Sequence, residues 1–286
     1  MGTGYAHHIS ITLCFTGCVL LAAACRKETQ QAPAPTPTPP VTIEYSFDTT
    51  AVSWGDEFNY TGAPEASKWG YDVGGGGWGN NELQYYTQGQ NAQVTGGNLV
   101  IEARKESFGG REYTSTRLIS KDKGTFTYGR VEVRAKLPSG RGTWPAIWML
   151  ANKQVYGNTY WPDNGEIDIM EHVGFDPNVV HFSVHTNALN WPKNTQKTAK
   201  TNVPTAMSDF HVYRLDWTPE GLKGYLDGRF YFDFPNGRSG WQTWPFDQPF
   251  FVLLNIAVGG NWGGQQGVDN SVFPQRLEVD YVRVYR

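Results

Sequence analysis

Apolar and polar positions alternate along most of the chain from about residue 41 onward. Asn98–Lys105 reads NLVIEARK and Thr127–Lys136 reads TYGRVEVRAK. Strand candidates follow over Val179–His185, Phe210–Trp217, Gly221–Asp227, Phe250–Val258 and Arg276–Tyr285. Successive side chains of a strand point to opposite faces, so a two-residue period predicts half-buried β-strands. Turn residues punctuate them: Leu226-Asp227-Gly228-Arg229 predicts a tight hairpin, and Pro235-Asn236-Gly237 a further turn. There is no long amphipathic helical period and no repeat of solenoid or propeller length. The pattern predicts a single all-β domain, two antiparallel sheets stacked face to face.

One segment breaks the alternation. Glu166-Ile167-Asp168-Ile169-Met170-Glu171 reads as a strand carrying three carboxylates. Strict alternation would turn Glu171 into the core and Met170 outward. Burying an unpaired carboxylate is costly. One extra residue in the strand, a β-bulge around Ile169 and Met170, removes the conflict and sets all three acids on one face. Two carboxylates flanking a sugar–sugar bond are the machinery of glycoside hydrolysis. With the bulge, Glu166 and Glu171 stand four regular steps apart, roughly 13 Å between backbones, and side chains leaning together close most of that gap. A retaining site needs about 5–5.5 Å between the carboxyl groups and an inverting site about 6.5–9.5 Å, so the spacing leaves both open. Asp168, between them, electrostatically favours a protonated neighbour, which suits an acid/base.

Aromatic content adds walls to this row. The chain has 11 Trp, 15 Tyr and 15 Phe. Trp144 and Trp148 are an even number apart and share a strand face, and Trp161 and Trp262 add further rings. Indole faces stack on sugar C–H faces, so these four are candidate substrate contacts, while Trp54 and Trp217 are expected in the core. His185 ends a strand that follows the acid strand and is expected to face the same groove, with His181 on its face. His172 and His211 are expected to be structural. Gly74-Gly75-Gly76-Gly77-Trp78-Gly79 formally fits G-x-G-x-x-G, but no helix follows it, so it reads as a loop at the groove rim. No zincin motif or nucleophile elbow is present, and the acid row needs no cofactor for catalysis. A net charge of −3 excludes a broad basic footprint for nucleic acid.

The three cysteines, Cys14, Cys18 and Cys25, all precede the domain, which therefore has no disulfide. Ile9 to Ala24 is apolar and ends in Leu20-Leu21-Ala22-Ala23-Ala24-Cys25, resembling a bacterial lipoprotein signal. Residues 1–25 are thus expected to be a signal peptide with Cys25 as the lipidation site. Residues 26–40, RKETQQAPAPTPTPP, form a proline-rich linker, and residues 41–286 the catalytic domain. The expectation is an exported protein anchored by lipid to the outer membrane, facing the periplasm or the cell surface, with no other membrane contact.

Glu166-Ile167-Asp168-Ile169-Met170-Glu171, within GEIDIMEHVG, resembles the signature of family 16 glycoside hydrolases. Two residues between the aspartate and the second glutamate resemble its laminarinase branch. WPAIWML (Trp144–Leu150), WGNNELQYYT (Trp78–Thr87), His185-Thr186, NIAVGGNWGG (Asn255–Gly264) and VDYVRVY (Val279–Tyr285) match the same branch. The resemblance implies a β-jelly roll of two curved antiparallel sheets with a concave substrate cleft. It implies endo-hydrolysis of β-1,3 linkages in laminarin-like glucan, extending to mixed β-1,3-1,4-glucan, with retention of configuration. Glu166 would be the nucleophile, Glu171 the acid/base and Asp168 the assisting residue, with Asn81, Trp144, Trp148, His185 and Trp262 touching sugar. Members of the family often carry a structural calcium ion (Ca2+). The matching positions are the backbone carbonyls of Glu57 and Gly97 and the side chain of Asp280. A monomer is expected. Two other readings stand beside this one. A relative acting on agar or carrageenan would need cations in the cleft, for which Arg104, Arg117 and Arg141 are candidates. A glycan-binding lipoprotein without turnover would have no need of a complete acid row.

Overall fold

The computed structural model describes residues 45–286; the signal, the linker, Cys25 and the start of the domain at residue 41 lie outside the described residues. Among the described residues there is no α-helix, only two short 3-10 turns. The strands form two large antiparallel sheets. The back sheet runs Arg229–Pro235, Gly221–Leu226, His211–Thr218, Gly129–Lys136, Gln275–Tyr285, Asn98–Ala103 and Ala92–Thr95, with Trp54–Asp56 also pairing to Gln275–Tyr285. The groove sheet runs Lys197–Asn202, Val179–His185, Glu166–Glu171, Thr143–Ala151, Phe250–Val258, Arg117–Ile119 and Gly70–Asp72, with Thr125–Phe126 also pairing to Phe250–Val258. A small parallel pair, Gln84–Tyr86 with Tyr113–Ser115, lies outside both sheets.

This is the jelly-roll sandwich that the alternation predicts. Gly129–Lys136 is buried at every second residue, Val131, Val133 and Ala135 facing inward. These side chains pack with Ile147, Met149, Ile167, Phe182 and Val184 of the groove sheet in one continuous core. Phe182 stacks on Phe232 at 4.4 Å between ring centres, tying the two sheets together beneath the strand that carries His181 and His185. Trp217 is fully buried, and Trp54 packs partly buried against the core, edge-on to Trp69 at 5.4 Å.

Phe250–Val258 departs from simple alternation, being buried along its whole length. One face belongs to the main core. On the other, Phe251 and Leu253 join Ile119 and Leu150 in a second apolar cluster, with Trp148, Tyr160 and Trp161 packed against it. The floor of the groove is thus apolar at one end. The predicted hairpin is present: Leu226 pairs with Arg229, and Asp227 and Gly228 take φ of +48° and +77°, as a two-residue primed turn requires.

The bulge in the acid strand is visible in both of its ladders. Against Thr143–Ala151, Asp168 pairs with Trp148 and Met170 with Ile147, so Ile169 has no partner. Against Val179–His185, Asp168 pairs with Ser183 and Glu171 with His181, three steps on one strand against two on the other. Ile167, Ile169 and Met170 are all buried in the core.

Candidate active site

The outer face of the groove sheet carries a groove of about 1030 Å³. Glu166, Asp168 and Glu171 all line it, so the bulge achieves what its sequence requires. Side chains from neighbouring strands close in on the row. The Trp144 indole N–H donates to Glu171 Oε1 at 3.0 Å. His185, opposite Glu166 in the ladder, places Nε2 3.4 Å from Asp168 Oδ2 and 3.8 Å from Glu166 Oε1. One ligand atom each of Glu166, Asp168 and His185 lies within 4.8 Å of the others.

Burial governs the electrostatics of the row. Loss of water around Glu166, reinforced by the Asp168 charge beside it, pushes its carboxyl up to about 8. Burial raises Asp168 well above the ordinary range, with the charge of Glu171 adding to the effect. Glu171 is raised by burial too, while His185 and the Trp144 N–H act in the opposite direction. The row therefore carries fewer than three negative charges near neutral pH, and its protons are shared among the three groups.

The remaining expected residues fall as follows. Trp144, Trp148, Trp161 and Trp262 all line the groove. Trp148 donates its indole N–H to Asn255 Oδ1 at 2.7 Å, and Trp262 stands edge-on to Trp144 at 5.5 Å. His181 also lines the groove, edge-on to Trp262 at 4.9 Å, and burial pushes it down to about 4, leaving it neutral at neutral pH. His172 is buried, with Nδ1 2.9 Å from the Val179 carbonyl, and His211 bridges Asp227 and Thr205 on the back sheet, so both are structural. The glycine-rich loop forms the rim through Trp78 and Gly79. Asn81, for which the resemblance implies a sugar contact, is not among the residues lining the groove. It sits in a left-handed turn (φ +56°), exposed, and donates to Asn261 Oδ1 at 2.8 Å, while its neighbour Asn80 lines the groove.

Two groove features escaped the sequence, Glu82 and the pair Trp191 and Gln196, while Arg117 is the one of the three candidate arginines that lines the groove. Glu82 is a fourth buried acid in the lining, accepting from Gln84 Nε2 at 2.6 Å and from Tyr86 Oη at 3.2 Å. The two-residue spacing of Glu82, Gln84 and Tyr86, all buried, was the available signal. Arg117 lies between Trp78 and Trp148, 4.9 and 4.5 Å from their ring centres, and pairs with Asp72 at 3.0 Å. Trp191 and Gln196, from the loop after His185, line one end of the groove.

The sequence matches glycosyl hydrolases family 16 over residues 79–283. The chain belongs to glycosyl hydrolase family 16. It is 61% identical over 240 residues to a β-glucanase of Rhodothermus marinus, covering 82% of this chain and 84% of that one. The crystal structure of the R. marinus laminarinase superposes with a TM-score of 0.82, covering 82% of this chain and 96% of that chain. SCLam, a non-specific endo-β-1,3(4)-glucanase of the family, has a TM-score of 0.79 at 47% identity, covering 85% of this chain and 93% of its own. A keratan-sulfate endo-1,4-β-galactosidase of Sphingobacterium multivorum is 36% identical over 82% of this chain, which spans 54% of its length.

In this family 16 domain the acid row opposes folding once it ionises. Folded, Glu166 keeps its proton to about pH 8, whereas an ordinary glutamate releases it near 4.5. The folded state thus holds the extra proton between those values, and stability falls as pH rises through that window. Glu166→Gln cannot ionise. Thermal and denaturant unfolding should find it more stable than the wild type at pH 9, on the order of 2–4 kcal/mol, with little difference at pH 4.5. Equal stability at pH 9 would contradict the buried-charge account.

Proposed function

We propose that this protein is an endo-acting glycoside hydrolase that cleaves β-1,3 linkages in laminarin-like glucan, and β-1,3-1,4-glucan as well, with retention of configuration. The observation that carries the reading is the complete acid row on the groove face of the bulged strand, flanked by indole rings. The R. marinus and SCLam enzymes supply the substrate class.

Glu166, its proton passed to Asp168 within the shared row, attacks the anomeric carbon as a carboxylate while Glu171 gives its own proton to the departing glycosidic oxygen. This forms a glycosyl ester on Glu166 and releases the reducing-end fragment. Glu171, now a carboxylate, takes a proton from water as that water displaces Glu166, restoring both groups and the β-configuration. The raised affinity of Glu171 for its proton suits the first step. Positive charge developing on the sugar ring draws the negative charge of the row onto Glu166, the group that bonds to it. Asp168 sits between them: its charge raises Glu166, and the charge of Glu171 raises Asp168 in turn.

The reading of a sulfated-galactan hydrolase finds little support in the groove. Arg117 is the single cation in the lining among the described residues, and its charge is committed to Asp72 and two indoles. Arg104 pairs with Glu102 at 2.6 Å, and neither Arg104 nor Arg141 lines the groove. A binding protein without turnover would have no need of all three acids. Export and lipidation at Cys25 are part of the proposal and rest on the signal-like N-terminal sequence.

A structural calcium on the back sheet is part of the proposal. Asp56 pairs with Val282, and Leu99 with Val279, on the same strand, so Glu57 and Gly97 approach it near Asp280 from either side. Two carbonyl oxygens and a carboxylate are suitable calcium donors. The Glu57 carboxylate is engaged by Arg283 at 2.7 Å, leaving its carbonyl for the ion. Arg134 takes Asp280 Oδ2 at 2.6 Å. Chelation should lower the melting temperature, calcium should restore it, and Asp280→Ala should abolish the difference. A melting temperature indifferent to both would reject the site.

The two glutamates are separable by rescue. Glu166→Ala and Glu171→Ala should each lose about a thousandfold or more in activity on laminarin. With an aryl β-glucan oligosaccharide bearing a good leaving group, azide should rescue both. NMR should find the α-glycosyl azide from Glu166→Ala and the β-glycosyl azide from Glu171→Ala. The reverse assignment, or wild-type activity in either variant, would overturn the roles.

A further inference from the structure

The groove extends past the acid row to a wall built by the loop between Val179–His185 and Lys197–Asn202. Its prominent feature is Trp191, which lines the groove while 45% exposed. The 3-10 turn Trp191–Lys193 that carries it contributes nothing to the core. An exposed tryptophan is a poor choice for a mobile loop, and this loop is held firmly. Asn190, buried, donates from Nδ2 to the carbonyls of Thr186 (3.0 Å) and Asn187 (2.9 Å), and its backbone N–H donates to Thr195 Oγ1 (3.1 Å). Its Oδ1 caps the turn by accepting from the Lys193 N–H. Pro192 fixes its own φ inside the turn. The indole is therefore presented on a rigid mount that begins one residue after His185.

A second observation on the same wall points to a ligand. Gln196 lines the groove, and its Oε1 is a buried acceptor with no hydrogen-bond partner. Leaving such an acceptor unsatisfied costs about 1–3 kcal/mol, a cost that a donated hydroxyl removes. A flat apolar face and a lone acceptor carried into one groove by the same loop are the chemistry a sugar ring answers, with its C–H face on the indole and a hydroxyl on the carbonyl. Distance separates this place from the reaction. Asp168 pairs with Ser183 and Ser183 with Thr198, so the wall begins two strands across, roughly 10 Å from the acid row.

We infer that Trp191 and Gln196 form a distal sugar-binding subsite that holds a glucose unit of the chain away from the scissile bond. This rests on the glucanase reading above and adds to it the expectation, tied to named residues, that long chains are favoured over short ones. Remote binding energy of this kind is recovered only by substrates long enough to reach it.

The test is the chain-length dependence of kcat/KM on purified β-1,3-gluco-oligosaccharides and laminarin for wild type, Trp191→Ala, Trp191→Phe and Gln196→Ala. Trp191→Ala should lose about tenfold on laminarin and no more than about threefold on the shortest oligosaccharide cleaved. Trp191→Phe, which keeps a ring, should recover most of the loss, and Gln196→Ala should show the same dependence on length. No loss, or an equal loss at every length, would overturn the subsite. Wild-type protein inactive on every β-1,3-glucan would instead overturn the proposed function.

Discussion

Three carboxylates in one strand must face the same groove, and an apolar core lies directly behind them. Period-two geometry forbids that arrangement over the six residues Glu166–Glu171 unless one residue is extra. Ile169 is that residue. It leaves both ladders intact at Asp168 and Glu171 while adding its own side chain to the core beside Met170. The energetic consequence is a buried acid row whose ionisation the protein opposes, visible in the upward displacement of all three groups. That tension is useful. A carboxyl that holds its proton near neutral pH can donate it, and a charge confined to a water-poor site responds strongly to positive charge on a sugar.

The surrounding structure serves this row. The strand Thr143–Ala151 supplies Trp144, whose N–H meets Glu171, and Trp148, fixed by Asn255 and by Arg117 over its ring. The strand on the other side supplies His181, Ser183 and His185 to the groove lining. Beneath them the stack of Phe182 on Phe232 joins the two sheets. Site geometry is thus inherited from packed strands, with loops adding the rims at Trp78 and Trp191.

Much of this was legible in the sequence because alternation survives wherever one face of a strand is buried. Val179–His185 and Phe250–Val258 begin and end where the pattern placed them, and Phe210–Trp217 is displaced by one residue. Asn98–Lys105 was read two residues too long, since Arg104 leaves the sheet to bridge Thr114. Lys197–Asn202 was invisible: KTAKTN is a polar edge strand, and edges are kept polar to discourage further pairing. The acids were readable because their charge conflicts with the period. Trp191 and Gln196 were not, because loop geometry leaves no periodic trace. Signal, linker and Cys25 belong to residues outside those described.

The bulge makes a direct demand on a one-residue deletion. Without Ile169 the strand reads Glu-Ile-Asp-Met-Glu, whose simple alternation sets all three acids on the groove face. Met170 remains opposite Ile147, and Glu171 opposite Ala146 and His181. Laminarin hydrolysis by the Ile169 deletion should therefore be compared with that of Glu171→Gln, both checked for folding by circular dichroism. The deletion is predicted to fold and to exceed Glu171→Gln by about a hundredfold or more, the usual contribution of a positioned general acid. A folded deletion variant as inactive as Glu171→Gln would contradict the claim that Ile169 is the looped-out residue and that activity requires only the three acids on one face.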